Sequence, residues 1–187
     1  MSNRNLARAP DVSPPDVPRW SELLRDRTHV VVRPLVPQDR EAERAFIEQL
    51  SAQACRFRFL GYVHHASEGL LDNLTRLDPA RDFAFAAVVA EVAHEKIVGV
   101  SRFSVDKDGR QCECAVVVDD EWQNKGLGTL LMRRLIEVAR TRGIQVMRSI
   151  DLTENMRMTD LARDLGFTRR IDPDDASQVI HELLLVE

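Results

Sequence analysis

The sequence VVVDDEWQNKGLGTLLMRR, residues 116–134, constrains the fold of this chain more than any other segment. An apolar run at 112–118 leads into a turn that contains Gly126 and Gly128, and apolar residues then recur at helical spacing until Gly143. Glycines remove side chains where a ligand must approach the backbone, and the first amides of a helix have no partner within the helix. The segment therefore predicts a strand, a phosphate-binding turn and an amphipathic helix, although an ordinary strand-to-helix turn also uses glycine.

Two common phosphate-binding motifs are excluded by the sequence. No GxxxxGK followed by Ser or Thr is present, and the GxG at Gly126 lacks the third glycine of a dinucleotide fingerprint, since residue 131 is leucine. The string QNKGLG at 123–128 matches the signature (Q/R)xxGx(G/A), and on it the chain resembles the GCN5-related N-acetyltransferases (GNAT). The resemblance covers about residues 29–186. It implies an α/β GNAT fold, with a mixed, mostly antiparallel central sheet that contains one parallel, splayed strand pair and is flanked by about four helices.

Turns and periodicity predict an element order that agrees with this fold. One strand near 30–32 comes first, two helices follow, and three strands form an antiparallel meander before the long helix. A parallel strand, a further helix and a final hairpin complete the domain. The predicted helices begin near Pro37 and Ser67 and cover 127–142 and 155–165, and the predicted strands after the first cover 83–92, 96–105, 111–118, 145–150, 168–171 and 178–185. An exposed last strand could pair across a homodimer.

The beginning of the chain differs in composition from the rest. Four of the eight prolines lie between residues 10 and 18, with few apolar residues around them, which indicates an extended or mobile arm. We expect residues 1–28 to form a proline-rich N-terminal arm, docked by a short helix at 20–24. Residues 29–187 are then expected to form a single GNAT N-acetyltransferase domain.

The resemblance implies acetyl-coenzyme A as the cosubstrate. In this family the two splayed strands hold the pantetheine arm between them, and the glycine turn binds the pyrophosphate. The implied coenzyme-binding residues here are Val116, Val117 and Val118 through their backbone, the turn residues Gln123, Asn124, Lys125, Gly126, Leu127, Gly128 and Thr129, and Asn155 at the start of the next helix. Asn155 could equally serve as the cap of that helix.

Transfer to an amine also needs a base, because an amine with a pKa of about 10.4 is mostly protonated at neutral pH. Alternation along CECAVVV puts Glu113 on the strand face opposite Cys112 and Cys114, together with Ala115 and Val117. Desolvation beside an apolar cleft would bring the ionisation of Glu113 toward the working pH, which suits a general base. The resemblance likewise implies a catalytic glutamate on this strand. The alternative for Glu113 is a solvent-facing surface residue.

The general acid and the acceptor are less well defined by the sequence. Many family members have a tyrosine acid in the pattern NxxAxxLYxxxGF, and Ala162 stands at the tyrosine position here. A dedicated acid is dispensable when the leaving group is a thiol with a pKa of about 8.5. The segment RFRFLG at 56–61 resembles the acetyltransferase domain of bacterial protein lysine acetyltransferases, which implies a protein lysine as acceptor. Residues 56–59 could equally be a helix end with its aromatic side chains in the core and its arginines solvated. Two alternatives remain open, acetylation of a small amine and a non-catalytic acyl-coenzyme A sensor.

Composition argues against several other functions. The net charge of −4, with both signs interspersed, argues against nucleic acid as the main partner. No apolar stretch has the length of a membrane span or the form of a signal peptide, so we expect a cytoplasmic protein. Cys55, Cys112 and Cys114 lack a metal-ligand spacing, and the neighbours His64 and His65 would face opposite ways, so no metal site is predicted.

Overall fold

A single mixed β-sheet organises the chain. The structure is a computed structural model that describes residues 18–61, 65–92 and 94–186. Its strands in this part of the chain are β1 Trp20–Leu23, β2 His29–Pro34, β3 Asp82–Ala90, β4 Glu95–Val105, β5 Gln111–Val118, β6 Val146–Leu152, β7 Thr168–Ile171 and β8 Gln178–Leu184. They lie in the order β1-β2-β3-β4-β5-β6-β8-β7, and all neighbours are antiparallel except β5 and β6. The predicted mixed sheet with one parallel pair is confirmed.

Helices cover both faces of this sheet. Those found in the described residues are α1 Arg40–Gln49, α2 Ala52–Phe59, α3 Glu68–Thr75, α4 Leu127–Thr141 and α5 Met156–Asp164, with short 3₁₀ helices at Pro37–Asp39 and Asp120–Trp122. The predicted cap of α3 is confirmed, since Ser67 Oγ accepts the Leu70 N–H at 3.2 Å. None of the helices in the described ranges is both long enough and apolar enough to cross a membrane.

The predicted short helix at 20–24 is wrong, because Trp20–Leu23 form strand β1 and pair antiparallel with β2. Its side chains alternate between half-buried and exposed, and the Trp20 ring packs edge-on against Phe85 with centroids 5.7 Å apart. Residues 1–17 of the predicted arm lie outside the described residues, as does His64. The division between arm and domain at residue 28 stays a prediction.

Two hydrophobic cores lie on opposite faces of the sheet. On one face α1, α2 and α3 pack over β3 and β4 through residues such as Phe46, Leu71 and Val100. On the other face the buried side of α4 packs over the centre of the sheet through Leu127, Leu131 and Leu135. The approach is close, since a Cβ on Gly99 of β4 would lie 3.0 Å from Leu131 Cδ1 and 3.3 Å from Leu127 Cδ2. Gly99 therefore fixes the position of α4, and with it the position of the turn at its start.

The parallel pair separates after a short ladder. Strands β5 and β6 pair only from Gln111–Val146 to Glu113–Arg148, yet β5 continues to Val118 and β6 to Leu152. The predicted splayed strand pair is thus confirmed. The final strand differs from expectation, because β8 lies between β6 and β7 and the sheet edge is β7.

Candidate active site

The glycine turn connects the end of β5 to the start of α4. Asn124 and Gly126 both adopt the left-handed region, with φ values of 62° and 88°. Asparagine and glycine tolerate this conformation better than other residues. Gly126 is the N-cap of α4 and makes no side-chain cap hydrogen bond, and the Leu130 N–H donates to Gly126 O at 3.0 Å. The first amides of α4 therefore lack a side-chain cap, and together with the helix dipole they fit a bound pyrophosphate.

Polar side chains hold this turn in place. Gln123 Nε2 donates to Val118 O at 3.2 Å and to Asp120 Oδ1 at 3.3 Å, and the Arg157 guanidinium donates to Gln123 Oε1. Lys125 Nζ lies 3.1 Å from Asp26 Oδ2 and 4.8 Å from the centre of the Trp122 ring. The side chain of Gln123 is thus engaged within the glycine turn, and that of Lys125 is paired with Asp26 of the β1–β2 turn.

The predicted pantetheine segment follows the point where the strands separate. Val116, Val117 and Val118 are each half-buried, with Val116 and Val118 against the α4 core and Val117 against the opposite core. Beyond Glu113, β5 has no ladder partner on β6 within the residues described. The backbone of this segment therefore faces the opening between the strands, as the resemblance implies for a pantetheine site.

Glu113 stands at the last β5–β6 pair, opposite Arg148. It is exposed, whereas Cys112 and Cys114 on the other face are buried, as the alternation predicts. The expected desolvation of Glu113 is wrong, because its side chain is exposed. The charge of Glu113 nevertheless reaches Arg58 on α2. Burial lowers the pKa of Arg58 to about 10 with help from the Arg102 charge, while carboxylates that include Glu113 oppose the shift.

Helix α2 connects the loops that follow the two splayed strands. The Ser51 N–H and Oγ donate to the two carboxylate oxygens of Asp120, each at 3.0 Å, just after β5. At the other end of α2, Arg56 forms an ion pair with Glu154, just after β6. The sequence predicts no separate helix here because its apolar residues do not share one face, although Ser51 is a recognisable N-cap that accepts the Ala54 N–H at 3.2 Å.

Two candidate residues on α5 have structural roles. Asn155 Oδ1 accepts the Met158 N–H at 3.2 Å, so Asn155 caps α5, and its contact with coenzyme stays a prediction. Ala162, at the family's tyrosine position, is fully buried in the core of the α4 face. No acid is therefore present at that position.

Segments that are distant in the sequence form a buried polar cluster near the splayed strands. Asp151 Oδ2 accepts Ser149 Oγ–H at 2.7 Å and lies 3.0 Å from His181 Nδ1. Ser149 and His181 face each other across β6 and β8, and both are 1% exposed. The pairing of distant segments creates this cluster, so no local pattern could have shown it.

The cysteines are buried thiols. Burial raises the pKa of Cys112 to about 12 and that of Cys114 well above its usual value. In the ranges 18–61, 65–92 and 94–186, no group of three or more His, Cys, Asp or Glu residues is arranged to hold a metal ion. The absence of a metal site from the whole chain stays a prediction.

Comparison with known proteins decides the family. A family model described as the acetyltransferase (GNAT) family matches residues 40–167. The chain belongs to the GNAT family. It is 45% identical over 186 residues to an acetyltransferase of Pseudomonas aeruginosa, in a match that covers 99% of this chain and all of that protein. This GNAT chain is also 30% identical over 136 residues to the acetyltransferase Pat of Mycolicibacterium smegmatis, where the match covers 72% of this chain and 40% of Pat.

Solved structures agree on the GNAT fold. The GNAT domain of S. lividans PAT superposes with a TM-score of 0.81 at 24% identity, covering 89% of this chain and 96% of that one. A cAMP-binding acyltransferase from Mycobacterium smegmatis gives a TM-score of 0.63 at 22% identity, covering 91% of this chain and 48% of that one. Family membership makes this GNAT protein an acyltransferase.

Proposed function

We propose that this protein transfers the acetyl group of acetyl-coenzyme A to a primary amine, most simply a protein lysine side chain, with Glu113 as general base. The observation that carries the proposal is the position of Glu113. Its exposed carboxylate stands at the last β5–β6 pair, directly before the strands separate and the half-buried segment at 116–118 begins. A base placed there can reach an amine that approaches a thioester held between the strands.

The reaction needs few groups. The carboxylate of Glu113, directly or through one water, accepts a proton from the acceptor ammonium, which gives a nucleophilic amine. The neutral amine nitrogen then forms a bond to the thioester carbonyl carbon, the carbon–sulfur bond breaks, and the nitrogen releases a second proton to solvent to give the neutral amide. Coenzyme A leaves as the thiolate and takes its proton from solvent, since a thiol with a pKa of about 8.5 is a tolerable leaving group.

The choice of a protein lysine rests on two similarities. The RFRFLG segment at 56–61 resembles bacterial protein lysine acetyltransferases, and its first four residues form the end of α2, beside the splayed strands. The 30% identity with Pat agrees with that resemblance. An exposed carboxylate at Glu113 would also attract a lysine ammonium. A small amine would meet the same base and remains the alternative acceptor.

A non-catalytic acyl-coenzyme A sensor is the second candidate function. The buried Ala162 favours it, because this position supplies a tyrosine acid in many family members. A sensor would retain the coenzyme site and have no use for Glu113. Measurement of acetyl transfer by the wild type and by Glu113→Gln therefore separates the sensor from the enzyme.

Further parts of the proposal concern location and assembly. We propose that the protein is cytoplasmic. We also propose that a homodimer forms through the edge strand β7, and not through β8, which lies inside the sheet. All four residues of β7 are exposed, so a second copy could add a strand there. Sedimentation of the purified protein tests the dimer.

The deciding experiment compares Glu113→Gln with Glu121→Gln, an exposed glutamate in the 3₁₀ turn after β5. Acetyl transfer is measured against pH with a panel of lysine-containing proteins and a panel of small amines. We expect Glu113→Gln to lower kcat/KM by roughly 100- to 10,000-fold, the usual contribution of a general base. Its remaining rate should rise with pH as more amine becomes neutral.

Three other results would change the proposal. A pH profile and turnover that Glu113→Gln leaves unchanged would remove Glu113 from the mechanism. Turnover on the amine panel alone would replace lysine by a small amine. Binding of acetyl-coenzyme A without turnover on either panel would favour the sensor.

A further inference from the structure

The turn between β1 and β2 lies against the glycine turn at the start of α4. The Arg25 N–H donates to Lys125 O at 3.1 Å, which joins the two turns through their backbones. A Cβ built on Gly126 would lie 3.3 Å from Arg25 Nε, 3.4 Å from its Cγ and 3.5 Å from its Cδ. The Arg25 side chain therefore runs along the surface of the residue that caps α4.

Two other cations near the glycine turn are already paired, Lys125 and Arg157. Lys125 lies 3.1 Å from Asp26 Oδ2, and hydrogen bonds from Thr28 and from Lys125 lower the pKa of Asp26 to about 2. Asp26 thus stays ionised and offsets the charge of Lys125. Arg157 donates to Gln123 Oε1. Arg25 is exposed, and its guanidinium makes no hydrogen bond or ion pair to any residue that the structure describes.

Coenzyme A offers a partner of matching chemistry. It carries a pyrophosphate and a 3′-phosphate, and a guanidinium binds phosphate oxygens through planar, charge-assisted hydrogen bonds. We propose that Arg25 is a phosphate ligand of coenzyme A and sets the preference of the site for phosphorylated forms of the coenzyme. This inference rests on the proposed coenzyme site. Arg25 lies in the β1–β2 hairpin, before residue 40, where the match to the family model begins.

Calorimetry with three ligands tests this assignment. Coenzyme A, 3′-dephospho-coenzyme A and pantetheine are titrated into the protein of 187 residues and into its Arg25→Ala and Arg25→Lys variants. Arg27→Asn is the matched control, because Arg27 is an exposed arginine of the same turn with φ 66°, a conformation that asparagine tolerates. Thermal unfolding of each variant shows that the fold is retained.

We expect Arg25→Ala to weaken coenzyme A binding roughly tenfold or more, as for loss of a charge-assisted hydrogen bond, with a smaller loss for Arg25→Lys. Pantetheine binding should not change, and Arg27→Asn should bind all three ligands as the wild type does. If the loss disappears with 3′-dephospho-coenzyme A, Arg25 binds the 3′-phosphate, and if it persists there, Arg25 binds the pyrophosphate. Either pattern supports the proposal.

Two results would overturn it. An unchanged affinity of Arg25→Ala for coenzyme A, or an equal loss on pantetheine, would show that Arg25 does not bind phosphate. A wild type that binds no coenzyme A would overturn the proposed coenzyme site as well. A wild type that binds but does not transfer acetyl groups would contradict only the proposed catalysis, and these titrations would still decide the role of Arg25.

Discussion

Substitution of alanine for each of the two glycines of the turn should have opposite effects. At Gly126, φ is 88°, and an alanine in the left-handed region costs about 1–2 kcal/mol. The added Cβ would also displace Arg25, although a flexible side chain can move at little cost. At Gly128, inside the first turn of α4, a Cβ would meet Leu161 Cδ2 at 3.5 Å and Val118 Cγ2 at 3.8 Å, which are ordinary contacts. Alanine there should gain about 1 kcal/mol from helix propensity.

Urea unfolding and calorimetry measure the two effects. For a chain of this size, 1 kcal/mol shifts Tm by about 2–4 °C, so Gly126→Ala should lower Tm by about 2–8 °C and Gly128→Ala should raise it by about 2–4 °C. We also expect Gly126→Ala to weaken acetyl-coenzyme A binding, because the turn must change its path. Gly128→Ala should bind normally, which agrees with the (G/A) position of the signature.

Gly143 supplies the matched control at the other end of α4. Its φ is 75°, and apart from its chain neighbours no residue that the structure describes comes within 4 Å of the position that a Cβ would take, so Gly143→Ala has a similar backbone cost without a new contact. It should lose a similar free energy of unfolding and keep its affinity for acetyl-coenzyme A. If Gly126→Ala proves as stable as Gly128→Ala, or if Gly143→Ala weakens coenzyme binding as much as Gly126→Ala, the reasoning about the turn is refuted.

Two further predictions concern buried groups. Arg33 donates two hydrogen bonds of 2.7 Å to the buried carboxylate of Asp39. Asp39→Ala should therefore lower the free energy of unfolding, measured in urea, by about 3–5 kcal/mol. A loss below about 1 kcal/mol would contradict this value. Burial raises the thiol pKa of Cys55, Cys112 and Cys114, so the folded protein should react only slowly with a thiol reagent at pH 8. Above about pH 9 these thiols stay protonated in the folded protein and ionise in the unfolded chain. The free energy of unfolding should therefore fall as pH rises from about 9 toward the Cys112 pKa of about 12. A free energy of unfolding that does not change over this pH range would contradict the prediction.

The part of the fold that the sequence predicts best is the part built from neighbouring segments. The strand, glycine turn and α4 follow one another directly, and the alternation at Cys112, Glu113 and Cys114 is local, so both were predicted correctly. Strand β1 was mistaken for a helix because a segment of four residues carries no clear period, and only pairing with β2 decides its conformation.

Non-local contacts account for what was missed at the site. Neither the insertion of β8 between β6 and β7 nor the cluster of Ser149, Asp151 and His181 follows from any one segment. The exposure of Glu113 depends on what packs over β5, which its apolar neighbours in sequence do not reveal. The approach of Arg25 to Gly126 likewise requires the β1–β2 hairpin to fold onto a turn a hundred residues away.

The separation of β5 from β6 gives the sheet a third place where strand edges are open, in addition to its outer edges at β1 and β7. Unpaired strand edges recruit strands of other chains, and proteins commonly protect them with a covering helix. Helix α2, held to Asp120 at one end and Glu154 at the other, lies where such a cover is needed. The contacts of Ser51 and Arg56 therefore help to keep the protein soluble, in addition to holding α2 beside the cleft. A bound pantetheine arm would protect the same open edge by lying where a further strand could otherwise pair.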